Sequence, residues 1–331
     1  MIFLLVCIFL AGVFLLGHLG LPEKINPADY QETPSQGRLM KGAEPYFLKG
    51  ESDTAFLLVH GFEGSPYTLK GIGEMLHAKG HTVFSPLLPG HGTSIVDFSK
   101  TRYEHWYAAV QALYLQERPK YKHFFLIGFS MGGNLCLRLS IHYSHRLPPT
   151  GLVCISSPVF INGFANGKLI LQDWRLMFSG IVKLFKEYFP KKKQILASAM
   201  ISPWVGYSEA YATGPLHSLK LNVGKIRPHL KYIRCPICLI QASNDRTISA
   251  ENLHLIYRRV TSKEKRAFLF SIDENVSTRH VLITHEHIRD RVYHYISEFI
   301  KDTMSNFDFP RRQEKPPGFW RRLMGVHNHE S

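Results

Sequence analysis

Six short, mostly apolar runs constrain this chain more than any other feature: 55–59, 81–84, 124–127, 152–155, 237–240 and 267–270. Each ends in polar or glycine-rich residues, as 55–59 does at His60-Gly61. Continuous apolar runs of this length, without alternation, fit strands buried on both faces. Between them lie stretches with helical spacing. In 71–79 the apolar residues are Ile72, Met75 and Leu76; in 103–117, Trp106, Ala109, Val110 and Leu113 share one face; 132–142 and 292–300 follow suit. Strands alternating with helices predict an α/β fold with a mostly parallel, doubly wound sheet.

The alternation breaks over about 159–231, which lacks short strand-like runs. This insertion reads as a small helical cap over the strand ends, with a helix over 167–188. Helical spacing would set Trp174, Met177, Phe178, Ile181, Val182 and Phe185 along one stripe, with Lys191, Lys192 and Lys193 beyond it. Such a stripe either packs on the core as an ordinary lid or faces a bilayer, with the lysines among anionic head groups. Residues 22–42 read as a polar linker, 43–302 as the catalytic domain with its cap, and 303–331 as a basic tail. The tail carries Arg311, Arg312, Phe319, Trp320, Arg321 and Arg322; it reads as a disordered end or a second contact with anionic lipid.

Lysine and arginine number 40 against 26 acids, a net +14. That balance suits an anionic partner. No zinc-finger spacing or RNA-binding signature is present, so nucleic acid is not expected. A membrane is. Residues 1–21 carry no Asp, Glu, Lys or Arg, and roughly 20 apolar residues span a bilayer. A secretory signal would need a basic start and a small-residue cleavage site, and neither is evident. The expectation is therefore an uncleaved single-pass transmembrane helix. Lys24, Arg38 and Lys41 downstream would place the catalytic domain on the cytoplasmic side. The five cysteines agree with that compartment: an odd count, four in core-like segments, reads as reduced thiols. Cys235 and Cys238 have redox-motif spacing, but they open an apolar run and read as strand residues.

Gly128-Phe129-Ser130-Met131-Gly132 has the G-x-S-x-G pattern, preceded by a strand and followed by a helix. That context calls for a tight turn that lifts the serine oxygen above the sheet. A serine hydroxyl is a weak nucleophile and needs a base, and the base needs an orienting acid. Asp245 follows the run 237–242, and His280 follows 267–270, so both emerge at the ends of parallel strands, where such sheets gather ligand groups. Ser130, Asp245 and His280 are the expected triad, with His285 and His287 as substitutes for the base. Acyl transfer also needs donors for the oxyanion: the backbone N–H of Met131, and that of Phe62 in the loop His60-Gly61-Phe62-Glu63-Gly64.

Four co-linear motifs carry a resemblance: the loop just named with Ser65 and Pro66, the run Leu88-Pro89-Gly90-His91-Gly92, the serine turn through Gly133, and Ser277 with His280-Val281-Leu282. Together they resemble the bacterial carboxylesterase and monoacylglycerol lipase branch of the α/β-hydrolases, over about 45–301. The resemblance implies an eight-stranded type of sheet, a small helical cap and no cofactor. It implies a small lipid-like or ester substrate: hydrolysis of short- to medium-chain esters, monoacylglycerols included. No residue is assigned to a metal. The apolar N-terminus and the basic tail depart from soluble members. Thioester hydrolysis or acyl transfer on the same triad stays open, as does a non-catalytic membrane-bound binding protein on the same fold. Against the last, no triad member or oxyanion-loop glycine is missing.

Overall fold

The computed structural model describes residues 2–21, 23, 25–26, 39–191, 205–273 and 279–306. The elements run α1 (Ile2–Leu19), β1 (Tyr46–Leu48), β2 (Thr54–Val59), α2 (Lys70–His77), β3 (Thr82–Ser85), α3 (Ile95–Ser99), α4 (Tyr103–Glu117), β4 (His123–Phe129), α5 (Met131–His142) and β5 (Gly151–Ile155). The chain then leaves the sheet for β6 (Asn162–Ala165), β7 (Lys168–Leu171), α6 (Ser179–Phe185), β8 (Tyr188–Pro190), β9 (Ala210–Ala212) and α7 (Thr213–Val223). It returns with β10 (Ile237–Ala242), α8 (Glu251–Arg259), β11 (Lys265–Phe270) and α9 (Arg289–Ser305).

Side-chain alternation along the strands builds two cores, one on each face of the sheet. Ala55, Leu57 and Val59 of β2, with Leu126 of β4, face Trp106, Val110 and Leu135 of α4 and α5. Phe56, Leu58, Phe125 and Ile127 face Leu76 of α2 and Val292, Ile296 and Phe299 of α9. All of β2, β4, β5 and β10 is buried, as continuous apolar runs require. Among the described residues the main sheet has seven strands, in the order β1-β3-β2-β4-β5-β10-β11, where eight were expected. Among these described strands β1 alone is antiparallel, pairing Phe47 with Phe84 at one edge. The parallel strands all point one way and deliver the loops after β2, β4, β10 and β11 to the same end.

Two expectations fail in the insertion. Residues 167–188 are not one helix, and the cap is not simply helical. Asn166 and Gly167 both have positive φ (56° and 79°), the backbone of a two-residue hairpin turn, and they join β6 to β7 as an antiparallel ribbon. A 3-10 turn (Trp174–Phe178) leads into the short α6. The ribbon β8–β9 follows. The expected stripe is therefore broken. The side chain of Trp174, with Lys192 and Lys193, lies outside the described residues, as does the tail from residue 307.

The N-terminal transmembrane helix is also not supported. Among the described residues no helix is long and apolar enough to cross a membrane. The 18 residues of α1 rise about 27 Å at 1.5 Å each, against roughly 30 Å of hydrocarbon. Its last turn is, moreover, committed to protein. Gly17 lies against Phe178 and Ile181 of the cap, and Gly20 against Gly180. The Nε2–H of His217 donates to the Leu19 carbonyl at 3.1 Å, and the Lys220 ammonium donates to that of His18. Part of the cap stripe, Phe178 and Ile181, thus covers the end of α1. Within the expected linker, Glu23 pairs with Arg102 at 2.8 Å and Met40 donates to Gly92; residues 27–38 lie outside the described residues.

Candidate active site

Ser130 stands between β4 and α5, near the middle of the sheet, with φ 53° and ψ −122°. A non-glycine residue adopts such a backbone only where its surroundings enforce it. Here Ser130 N–H donates to the Ile155 carbonyl at 2.8 Å, and the Ser130 carbonyl accepts from Gly133 at 2.9 Å. The flanking glycines are required by close approach. A Cβ on Gly132 would lie 2.0 Å from the Val59 carbonyl oxygen, and one on Gly128 would lie 2.5 Å from Gly133. The turn fits only because α5 runs down directly behind β2 and β4.

The loops after β10 and β11 bring the other two side chains to this serine. His280 Nε2 lies 3.0 Å from Ser130 Oγ. Its Nδ1 lies 2.6 Å from Asp245 Oδ2. The second Asp245 oxygen accepts the backbone N–H groups of Thr247 and Ile248 at 2.7 and 3.1 Å. The carboxylate is thus fixed on both oxygens, and its side chain is 0% exposed. With Nδ1–H donating to Asp245, Nε2 is left free to accept the serine proton. The His280 carbonyl is held in turn by the Ser156 hydroxyl at 3.1 Å. His285 follows the turn Leu282–Thr284 and faces His287 at 5.9 Å between ring centres; the ring reaching both Ser130 and Asp245 is that of His280.

The loop after β2 packs on the serine from the other side. Gly61 sits where a Cβ would be 3.2 Å from Ser130 Cβ, and Gly64 N–H closes the turn on the Gly61 carbonyl at 3.2 Å. Phe62 stands inside this turn. Met131 is the first residue of α5, so its N–H has no carbonyl one turn back. Both N–H groups therefore belong to segments that converge on Ser130. His60 braces the loop from within: Leu88 N–H donates to its Nε2 at 3.1 Å, and its Nδ1 reaches the Gly61 carbonyl at 2.9 Å. Burial pushes the His60 imidazole down to about 4, so it is neutral, with Nδ1–H as the donor. His91 of the Leu88–Gly92 run stands edge-on to it at 4.9 Å.

Sequence reasoning missed these supports, although His60 and His91 lie inside motifs it used. It also missed Glu63, a charged residue in an otherwise apolar loop, which is 3% exposed. Cys235 and Cys238 are buried free thiols, both pushed up to about 12 by burial. Among the described residues, no cluster of three or more His, Cys, Asp or Glu could hold a metal ion. Cavities of about 360 Å³ beside Phe164 and Arg227, and about 510 Å³ beside Leu76 and Met304, are lined by no triad residue. At the strand ends the structure joins Ser130, His280 and Asp245 in one hydrogen-bond chain.

Comparison with known proteins agrees with this architecture. A family model described as the alpha/beta hydrolase fold matches residues 54–202. The chain is 28% identical over 243 residues to a thermostable monoacylglycerol lipase of Bacillus sp. (strain H-257), covering 72% of this chain and 89% of that one. It is 26% identical over 259 residues to a carboxylesterase of Bacillus subtilis (strain 168), covering 78% and 96%. Among solved structures, a metagenome-derived enzyme described with LipS and LipT superposes with a TM-score of 0.67 at 22% identity, over 80% of this chain and all of that one.

Proposed function

We propose that this chain, which matches the alpha/beta hydrolase family model over residues 54–202, is a serine hydrolase that cleaves short- to medium-chain carboxylic esters, monoacylglycerols included, through an acyl-enzyme on Ser130. The observation that carries this reading is the unbroken hydrogen-bond chain from Ser130 through His280 to Asp245, set on a left-handed serine. The lipase and carboxylesterase names of its two Bacillus relatives support the substrate class.

In this reading Ser130 Oγ attacks the ester carbonyl while His280 Nε2 takes its proton. Asp245 stabilises the resulting imidazolium without taking its proton. The tetrahedral oxyanion is held by the N–H groups of Phe62 and Met131, whose fixed dipoles need no reorganisation as charge develops. Collapse breaks the ester bond, and His280 returns the proton to the departing alcohol. Water then attacks the acyl-enzyme with His280 again as base, releasing the acid and restoring Ser130.

The test is a fluorophosphonate probe with mass-spectrometric site mapping, followed by a panel of p-nitrophenyl esters and monoacylglycerols. Labelling should fall on Ser130, and Ser130→Ala should lose about 10⁴-fold or more in kcat, the usual loss for a triad member. Labelling elsewhere, or a Ser130→Ala enzyme retaining a tenth of wild-type turnover, overturns the assignment. Preferred hydrolysis of acyl thioesters over oxygen esters would move the substrate class and leave the triad in place.

A further inference from the structure

Glu63 sits beside Phe62 in the loop after β2. Two things about it are costly. Its backbone is left-handed, with φ 59°, which a residue with a side chain adopts against its preference. Its carboxylate is buried, which requires a partner. That partner comes from the cap. Lys191, the residue after β8, places Nζ 2.5 Å from Glu63 Oε2, and its own side chain is 10% exposed. The same ammonium donates to the Tyr207 carbonyl and lies 4.5 Å over the Tyr211 ring of β9. Tyr207 N–H in turn donates to the Glu63 carbonyl at 3.0 Å, and its hydroxyl donates to Gly90 at 2.6 Å. One residue of the loop is thus tied by backbone and side chain alike to the cap segment carrying β8 and β9, and Phe62 is its immediate neighbour.

We propose that Glu63 is a positioning residue for ester hydrolysis: its ion pair with Lys191 sets the Phe62 N–H in place for the oxyanion only while the β8–β9 ribbon of the cap is seated. The inference rests on the reading of Phe62 N–H as an oxyanion donor. It makes cap seating and stabilisation of the transition state a single event, since the lysine that seals the cap is the one that neutralises the loop. A carboxyl in this place is pushed up to about 7, by burial first, with Lys191 pulling the other way. The groups facing it are Lys191, the backbone N–H of Ala212, and Tyr211 with Arg175 and Asp173 behind that ring. Protonation of Glu63 removes the ion pair and loosens the loop.

The experiment is a double-mutant cycle of Glu63→Gln and Lys191→Met in the full chain, with kcat and KM for a p-nitrophenyl ester from pH 5.5 to 8.5 and thermal melts alongside. At pH 8 each single variant should lose about 10- to 100-fold in kcat, somewhat less than outright deletion of an oxyanion donor, with KM little changed. The double variant should be no slower than the slower single, because the two side chains act as one unit. The ratio of wild-type to Glu63→Gln kcat should shrink towards one as pH falls through about 7; the titration of His280 cancels in this ratio. A merely structural role would lower the melting temperature and leave the ratio flat. A kcat within twofold of wild type at pH 8, a flat ratio, or losses that multiply in the double variant each overturn the inference. Fluorophosphonate labelling of wild-type Ser130 separates the two failures: with labelling intact the triad reading survives alone, and without it both fall.

Discussion

Asp245→Asn is the sharpest test of how the site is wired, because the structure dictates which way the new amide must point. The Asp245 oxygen that faces Thr247 and Ile248 accepts two N–H groups, at 2.7 and 3.1 Å, the Ile248 bond being buried. Turning the asparagine NH₂ towards them would set donor against donor and orphan the buried Ile248 N–H, at about 1–3 kcal/mol. The amide oxygen therefore stays there, and the NH₂ faces His280 Nδ1 across the 2.6 Å contact. Nδ1 must then accept, the ring proton moves to Nε2, and Nε2 can no longer take the proton of Ser130 3.0 Å away. The expected loss is about 10⁴-fold in kcat, or roughly 5 kcal/mol of barrier. The backbone bonds that Asp245 makes survive, so the melting temperature should hold. Steady-state hydrolysis of a p-nitrophenyl ester, with circular dichroism melts, measures both. A folded Asp245→Asn enzyme with more than a tenth of wild-type kcat refutes the tautomer argument, and with it the role given to this carboxylate.

Gly132→Ala should cost at least the roughly 1–3 kcal/mol of ordinary overpacking, because its Cβ would meet the backbone oxygen of Val59 at 2.0 Å and a strand cannot swing aside; an unchanged melt and unchanged kcat would contradict the close approach. Stability should fall as pH drops from 7 to 4.5. Burial lowers His60 and His217 from 6.5 to about 4 and His91 further, so the unfolded chain takes up protons the native state refuses. His60 alone is worth on the order of 3 kcal/mol once pH passes below its folded value. Glu63, raised from 4.5 to about 7, acts the other way over that range but is one group against three, and a urea midpoint equal or higher at pH 4.5 than at 7 would be the contrary result. In the native protein iodoacetamide should modify Cys7, which is exposed, and spare Cys136, Cys154, Cys235 and Cys238, with all five labelling after unfolding; peptide mapping reads the outcome.

How much of this was legible beforehand depended on how local the cause is. The strands β2, β4, β5 and β10 announce themselves because burial on both faces forces unbroken apolar runs, and the meeting of Ser130, Asp245 and His280 follows from strand ends that converge. The edge strand β1 left no such trace: it has three residues and one is exposed. In the cap the turn at Asn166-Gly167 was the available signal, but Lys168–Leu171 contains the apolar residues a helix would also use, and the pairing that makes it a strand lies across the turn. The N-terminal helix shows the same limit from the other side. Its apolar character is plain in the sequence, yet what its last turn touches is decided by His217 and Lys220, some two hundred residues away. Glu63 looked like a polar residue in a loop because its partner, Lys191, also lies far along the chain.

The excursion that carries β6 to β9 departs from β5 and comes back as β10, and these two strands are hydrogen-bonded neighbours, Leu152 beside Ile237 and Ile155 beside Ile240. The seven-stranded ladder therefore closes without any contribution from the intervening residues. An insertion stitched in at such a seam behaves as an exchangeable cassette: its length and surface can drift while the strands on either side keep their register and the loops bearing Asp245 and His280 keep their heights. What can be chosen anew in this way is what surrounds the mouth of the site; the tie of Glu63 to Lys191 and Tyr207 is where the chemistry beneath still depends on the cassette. A loop graft that replaced residues 160–222 with a short linker would make that division of labour visible: fluorophosphonate should still label Ser130, while kcat falls with the loss of the Lys191 and Tyr207 ties to Glu63.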